Sequence, residues 1–513
     1  MGELRDGEAP EWMAQAARWM GAVLVFAIIL AALRARFSGK PWMYFFEDDF
    51  YYYLKVAQNL ANGSGSTFNG VVQTNGYHPL WMLVMTGFSI FSTDSWAIFW
   101  FVVTMAFLST MATFFLARIV LRQANTSKIL QTAFAAYLGI YTLHLCYTGM
   151  EVILAIPLMF LLIVVVARRD YWQRGWLQSC SLGLIISAMV LSRLDLIMLA
   201  GLFAFWIAVN AKVRKSFTVQ QAAGLALGLV PLVLYFLSNH QFFGTWLPVS
   251  GMAKQLKFNH FPSLKPWASL YGHNRNNWTN LLPIHLALLS LPLVWGRLSS
   301  MQRVIFPSIL MFPFVYVFLL SCMSDWQLWL WYLYPMRAAL CVSFIVFTLW
   351  LPTGRIMRTR LVTAAVMLIV LVETGMSKWW TDVQPAIYEA AHDIQQFAKT
   401  HPGTYAMGDR SGMVAYLLAY PVIQTEGLVM DRSFLEHIRH QDPLLPTLAD
   451  YHVRYYVGTA WKPYTGCFHA VEPLQAGKTS AHMLGDLCGT PVASSQHETY
   501  QTVIYDLDKE PPH

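Results

Sequence analysis

Charge is what this sequence of 513 residues has least of: Asp, Glu, Lys and Arg make up 12% of it, against 56% hydrophobic residues. Soluble domains carry about a quarter charged residues, so the composition excludes an ordinary soluble protein and indicates an integral membrane protein. Cysteine is sparse too: there are six, and no zinc or haem spacing among them. The glycine-rich "LANGSGSTFNG" lacks Walker spacing and follows no strand, which leaves a flexible turn rather than a phosphate-cradling loop. No Ser-His-Asp spacing is present, so a triad hydrolase is disfavoured. The first apolar run, near Trp19 to Leu33, has no small-residue cleavage signature and reads as a retained helix, not a signal peptide. The net charge of +7 comes from basic residues scattered between apolar runs, which suits basic loops at a membrane rather than nucleic-acid binding.

What is abundant is apolar and aromatic. Mean hydropathy is +0.42, and 20 Trp and 24 Tyr suit interfacial belts. A span needs about 20 apolar residues. Runs of that order fall at 18–34, 95–117, 129–147, 151–167, 176–192, 195–210, 219–238, 279–295, 304–322, 331–351 and 361–377. The run 79–91 is only about half to two-thirds of a span and reads as an interfacial or re-entrant helix. Charge tests that reading. If 79–91 does not cross, the loops "ARIVLRQANTSK", "ARRDYWQRG", "NAKVRKS", "WGRLSSMQR" and "PTGRIMRTR" share one side, as the positive-inside rule requires of cytoplasmic loops. "RARFSGK", at the start of a long outer loop, is the exception.

The expected fold is therefore an α-helical polytopic membrane protein of about 11 transmembrane helices, with a cytoplasmic N-terminus. Residues 1–377 form the membrane part, including a first outer loop over 35–94. Residues 378–513 differ in character: "IYEAAHDIQQFAKTH" has helical periodicity, "TYAMGD" and "RYYVG" read as short strands, and "DRSGMVAYLLA" starts a helix after a Gly-Asp turn. This tail is expected to be a small α/β domain on the outer, periplasmic side, where Cys467 and Cys488 either form a disulfide or remain free thiols.

With this topology the unusual polar residues gather on one face. They are Glu47, Asp48 and Asp49 after the first run, the "TNGYHPLW" turn with Asn75, Tyr77 and His78, and Glu151 in "TGMEV". Arg193 and Asp195 in "SRLD", Lys254 in "FGTWLPVSGMAKQLK", and Asp325, Trp331 and Tyr332 in "SDWQLWLWYLYP" complete the set. Ionisable residues at membrane depth are costly and mark function by default. Sharing one side, they imply a cavity at the outer leaflet. A carboxylate at the edge of a low-dielectric slab has a raised pKa and suits general-base work. The same acids also suit the start of the helix "DFYYYLKVAQNLANG". Glu151 either caps its span or lines the cavity, and Arg193 either pairs with Asp195 or faces an anionic headgroup. His78 either satisfies backbone groups or contacts substrate. Lys254 runs against the positive-inside bias and suits a phosphate ligand, with Lys257 and Arg275 weaker versions of the same argument. Trp331 and Tyr332 serve either an aromatic belt or sugar stacking.

The motifs "EDDFYYYLKVAQNLANG", "TNGYHPLW", "TGMEVIL", "SRLD", "FGTWLPVSGMAK" and "WYLYP" resemble the GT-C superfamily of integral-membrane glycosyltransferases. They look most like bacterial members related to the mycobacterial arabinofuranosyltransferases. The resemblance covers the whole chain in architecture, but its motifs lie mainly in the first half; in the tail only "GDRSG" and "TEGLVMD" look familiar. It implies inverting sugar transfer from a polyprenyl-phosphate donor to a hydroxyl of a glycan, lipid or protein acceptor. The reaction would run on the periplasmic face of a bacterial inner membrane. By motif position the base falls on Asp48, with Asp49 or Glu47 the alternative because this sequence carries an extra acid. His78 departs from the pattern ahead of "PLW", so no role carries over to it. Most of the superfamily needs no metal, although the acid trio leaves room for a divalent cation. The rival readings are a transporter or flippase of lipid-linked saccharides and a ligase that transfers whole glycans. The first predicts mid-span charges and inverted repeats, and neither is present; the second predicts more basic outer loops. A topology reporter fused at Asn125 is expected to report the cytoplasm, and a periplasmic signal there would overturn the placement of every later loop.

Overall fold

The computed structural model describes residues 32–509 except 125, 168–174, 211–212, 214–217, 273–276, 351–384 and 461–465. It adds residues 25–26 and 29 and leaves aside the side chains of 277–279. Most of the run 18–34, the run 361–377, Arg275 and most of the basic segments 167–175, 210–216 and 352–360 lie outside the described residues.

Five described helices are long and apolar enough to cross a bilayer: Ser95–Leu121, Lys128–Cys146, Val219–Phe243, Gln302–Met323 and Leu330–Trp350, the last opening with a 3₁₀ turn. The chain is a multi-pass membrane protein, and the expected eleven spans stand at five by length and composition among the described residues. Val152–Ala167, Trp176–Ser192 and Ile197–Val209 are shorter, at 16, 17 and 13 residues. Pro79–Phe91 has 13 residues, about 20 Å of helix at 1.5 Å per residue, against about 30 Å of hydrocarbon. Ile197–Val209 has the same length.

The helix Val219–Phe243 shows why such apolar elements need lipid. Its Leu227, Val233, Leu234 and Leu237 are exposed, which is costly in water and neutral in a bilayer. Its other face packs on Trp176–Ser192 through small residues. A Cβ on Gly228 would sit 2.1 Å from the Cys180 carbonyl oxygen, and the Ser187 hydroxyl donates to the Gly228 carbonyl at 2.8 Å. Close small-residue contacts of this kind hold helices together where no hydrophobic effect acts between them. Helix ends sort into two groups. At one end Gln302 donates to Gln123 at 2.6 Å and Asn210 to the Ser300 carbonyl; at the other Glu151, Arg193 and Lys254 gather.

Beyond the membrane part, a five-stranded sheet has the order β2-β1-β3-β7-β6. Strand β1 (Thr404–Met407) runs parallel to β2 (Val422–Gln424) and β3 (Val453–Ala460), with the helix Ser411–Leu417 between β1 and β2. Strand β7 (Tyr500–Asp506) is antiparallel to β3, with Val457 opposite Ile504, and hairpins with β6 (Ala493–His497). A separate hairpin, β4 (Phe468–Glu472) with β5 (Met483–Leu487), is closed by the Cys467–Cys488 disulfide. "TYAM" and "RYYVG" are thus strands, and "SGMVAYL" and "IYEAAHDIQQFA" helices, as their patterns indicate.

Asp325 bolts this region to the membrane part. Its carboxylate accepts from the Gly477 amide (2.9 Å), the Thr479 amide (3.1 Å), the Thr479 hydroxyl (2.8 Å) and the Ser480 hydroxyl (2.5 Å). The Phe258 amide donates to the Thr479 carbonyl and the Ala481 amide to the Leu256 carbonyl, at 2.8 and 2.9 Å. Lys257, weighed as a phosphate ligand, is corrected to a structural residue, because its ammonium donates to the carbonyls of Phe261 and Ser321. Burial pushes the Asp325 carboxyl up, but the Ser480 and Thr479 donors outweigh it and hold its pKa below 3.8. A depressed carboxylate adds stability above its unfolded pKa that is lost as pH falls through the folded value. Asp325→Ala is expected to weaken this docking by about 2–3 kcal/mol, read as faster proteolysis of the chain beyond Pro385 in membranes; unchanged cleavage would contradict it.

Candidate active site

The first-loop acids start the helix Asp48–Ala61, where two carboxylates in the first turn complement the helix dipole. Neighbouring residues on a helix point about 100° apart, and here they meet different environments. Asp48 is buried, and its two oxygens accept from the Gly412 amide (3.0 Å) and the Met413 amide (2.8 Å). It therefore caps the helix Ser411–Leu417, not its own. The fit leaves no room for a side chain, since a Cβ on Gly412 would lie 2.4 Å from the Asp48 carbonyl oxygen. Burial pushes the Asp48 carboxyl up to about 7 against the pull of those backbone donors. Glu47 takes the N-cap position without a side-chain capping bond.

Asp49 faces an open pocket of about 640 Å³ measured out to its mouth, shared with Tyr52, Lys254, Trp326, Trp329, Tyr332, Arg410 and Glu426. Its carboxylate accepts no hydrogen bond from the described residues. Burial raises its pKa above 3.8, opposed by Lys254 and Arg410. The Lys254 ammonium donates to the Tyr332 hydroxyl at 2.7 Å and lies 5.7 Å from the centre of the Trp326 ring. Burial pulls Lys254 down, but Tyr332 and Asp49 outweigh it, so its pKa is raised and it stays charged. Glu426 is held well above 4.5 by burial and by Asp409, which favours its neutral form.

Behind Asp49 runs a buried polar chain. Arg193 donates to Glu151 (2.5 Å) and to Asp195 (3.0 Å). Tyr53 donates to Glu151 at 3.1 Å and Tyr334 to Asp195 at 2.9 Å. The Arg193 guanidinium lies 4.8 Å from the centre of the Tyr332 ring, which links this chain to the pocket. His78 Nδ1 accepts from the Leu194 amide at 3.1 Å, so its remaining proton sits on Nε2, 3.8 Å from Glu151. Burial holds His78 below 6.5 and so neutral at pH 7. Each charge in this chain is paired, as buried charges must be.

Of the residues singled out in the sequence, Asp49, Lys254 and Tyr332 line the pocket, and His78, Glu151 and Arg193 form the chain behind it. Asn75 and Tyr77 are loop pins. Asn75 donates to Thr245 (3.1 Å) and accepts from the Val249 amide (3.0 Å), and the Tyr77 hydroxyl meets Ser66 at 2.6 Å. Trp331 is buried and stacks on Trp329, which lines the pocket together with Trp326. Sequence reasoning missed Tyr52, Trp329, Asp409 and Arg410; the signal for the last two was the polar "GDRSG" turn opening a helix. Among the described residues no three His, Cys, Asp or Glu side chains are placed to hold a metal ion.

No protein-family model and no curated protein sequence matches this chain. Solved structures give distant likenesses. The oligosaccharyltransferase of Archaeoglobus fulgidus tethered with an acceptor peptide aligns at 12% identity and a TM-score of 0.49, over 92% of this chain and 74% of that one. The same organism's AglB, in complex with an inhibitory peptide and a dolichol-phosphate, aligns at 13% and 0.48 over the same shares. ArnT from Cupriavidus metallidurans, bound to undecaprenyl phosphate, aligns at 12% and 0.37, over 83% of this chain and 80% of that one. At such scores these likenesses define neither the fold nor the activity of this chain.

The division between the two aspartates is testable. Asp48→Ala strips the acceptor from two buried amides and is expected to cost about 2 kcal/mol, whereas Asp49→Asn leaves stability within about 0.5 kcal/mol of wild type. Thermal unfolding of the detergent-solubilised protein checks both, and equal losses would contradict the assignment.

Proposed function

We propose that the chain is a membrane glycosyltransferase of the GT-C kind. It moves a sugar from a polyprenyl-phosphate donor to a hydroxyl of a glycan, lipid or protein acceptor, with inversion. The observation that carries this reading is Asp49: a carboxylate of raised pKa, free of hydrogen bonds from the described residues, in a pocket shared with Lys254 and walled by Trp326, Trp329 and Tyr332. In the proposed step the acceptor oxygen attacks the anomeric carbon. The bond from that carbon to the phosphate oxygen breaks, its electron pair leaving with the phosphate. Asp49 takes the acceptor proton and later returns it to water. The leaving group departs as an anion, so it needs a nearby cation more than an acid, and Lys254 lies in the same pocket. The aromatic walls suit the apolar faces of a sugar ring.

The paired chain from His78 to Asp195 then serves as the rigid floor that keeps Asp49 and Tyr332 in place. The motifs of the first loop, which resemble arabinofuranosyltransferases, support a pentosyl or hexosyl donor. The side of the membrane is proposed to be the periplasmic face of a bacterial inner membrane, an orientation supported by the Cys467–Cys488 disulfide, since such bonds persist in oxidising compartments.

Transfer assays on membrane fractions with a panel of polyprenyl-phosphate sugars test the reading. Asp49→Asn is expected to lower kcat by about 100-fold or more, and full activity in that variant would sink the assignment. The base works deprotonated, so kcat should fall as pH drops through the Asp49 pKa. Because that pKa lies above 3.8, the acidic limb belongs above the ordinary carboxylate range.

A further inference from the structure

Arg410 belongs to the C-terminal region, yet it lines the same pocket as Asp49 and Lys254. It is only 9% exposed. Even so, its guanidinium donates no hydrogen bond to any described residue, and its Nε is buried without a partner. Its contacts are an ion pair with Asp409, 3.5 Å from Nε, and the face of Trp329, 5.1 Å from the ring centre. Buried guanidinium groups ordinarily spend their five donors on carboxylates or carbonyls. An arginine that spends none is an incomplete site.

Its backbone is unusual as well. Arg410 has φ 66° and ψ 26°, the left-handed region that a side-chain-bearing residue rarely takes. The conformation is imposed from both sides, by β1 before it and by the Asp48 clamp on Gly412 and Met413 after it. Strained residues held this way concentrate at ligand sites. Among the described residues the ionisable groups other than tyrosines that line the pocket are Asp49, Asp409, Glu426, Lys254 and Arg410. Asp409 neutralises part of the arginine and aims it; Lys254 and Arg410 remain the two cations facing the space beside Asp49.

We infer that Arg410 is a second phosphate ligand, delivered by the C-terminal region, and that with Lys254 it holds the phosphate of a lipid monophosphate. This rests on the glycosyl-transfer reading above. A sugar phosphodiester carries one negative charge, and the lipid monophosphate that leaves carries two. Two cations therefore bind the departing phosphate better than the intact donor, which is where binding lowers a barrier. Asp409 acts as a positioning residue for the guanidinium fork, whose planar pair of donors suits phosphate.

The test is equilibrium binding of undecaprenyl monophosphate to the full chain in lipid nanodiscs, with undecaprenol and inorganic phosphate as comparison probes. Arg410→Gln and Lys254→Gln are each expected to weaken binding of the monophosphate by about 10- to 100-fold while leaving undecaprenol unaffected. Arg410→Gly is the companion variant, since glycine accepts the left-handed backbone and removes only the side chain; it should show the same loss. Asp49→Asn should retain monophosphate binding and lose transfer. Wild-type affinity in Arg410→Gln or in Arg410→Gly overturns the inference, as does equal affinity of the wild type for undecaprenol and the monophosphate. Inorganic phosphate binding as tightly as the lipid would overturn the lipid headgroup as ligand. Loss of binding in the Arg410 variants beside full transfer in Asp49→Asn would instead bring down the glycosyl-transfer reading alone.

Discussion

The carboxylate of Asp48 against the amides of Gly412 and Met413 is the contact on which the site depends. It joins the first acidic loop to a helix more than 360 positions away and sets the distance between two otherwise separate pieces. Two backbone amides on the two oxygens of one buried carboxyl group fix its direction as well as its distance. Gly412 lets the chains close to contact, and the turn before it swings Arg410 towards Asp49. Asp325, with its four donors, fixes the same region at a second point. Two anchors restrain rotation as well as distance, which one could not.

Around these anchors the electrostatics divide into a spent part and an open part. Arg193 pairs with both Glu151 and Asp195 in a low-dielectric setting, where an unpaired member would cost several kcal/mol. Tyr53 and Tyr334 take up remaining acceptor capacity. The pocket next door is different: Asp49 and Arg410 keep their hydrogen-bonding capacity, while Lys254 donates to the Tyr332 hydroxyl. That contrast distinguishes charges that hold the structure from charges that await a ligand.

Much of the scaffold was legible in the chain. Apolar runs located membrane helices and the short helix Pro79–Phe91, and "TYAM" and "RYYVG" read as strands, as they are. The gathering of Glu151, Arg193 and Lys254 with the first-loop acids followed from counting spans, because alternate loops of a polytopic chain must share a side. What could not be read was the assignment of neighbours. Asp48 and Asp49 are identical in type and adjacent in position; docking of Ser411–Leu417 on one face of their helix occupies one and leaves the other to the pocket. Lys257 and Lys254 likewise look alike in sequence, yet carbonyls surround the first.

By itself the sequence determined a helical membrane protein with its ionisable residues drawn to one face, since the cost of charge in lipid leaves few other arrangements. The tertiary structure decided which acid is a clamp and which is free, that Trp326 and Trp329 rather than Trp331 meet the pocket, and that Arg410 is part of it. Those outcomes turn on packing between segments hundreds of residues apart, and no local pattern encodes which face of a helix a distant partner will cover.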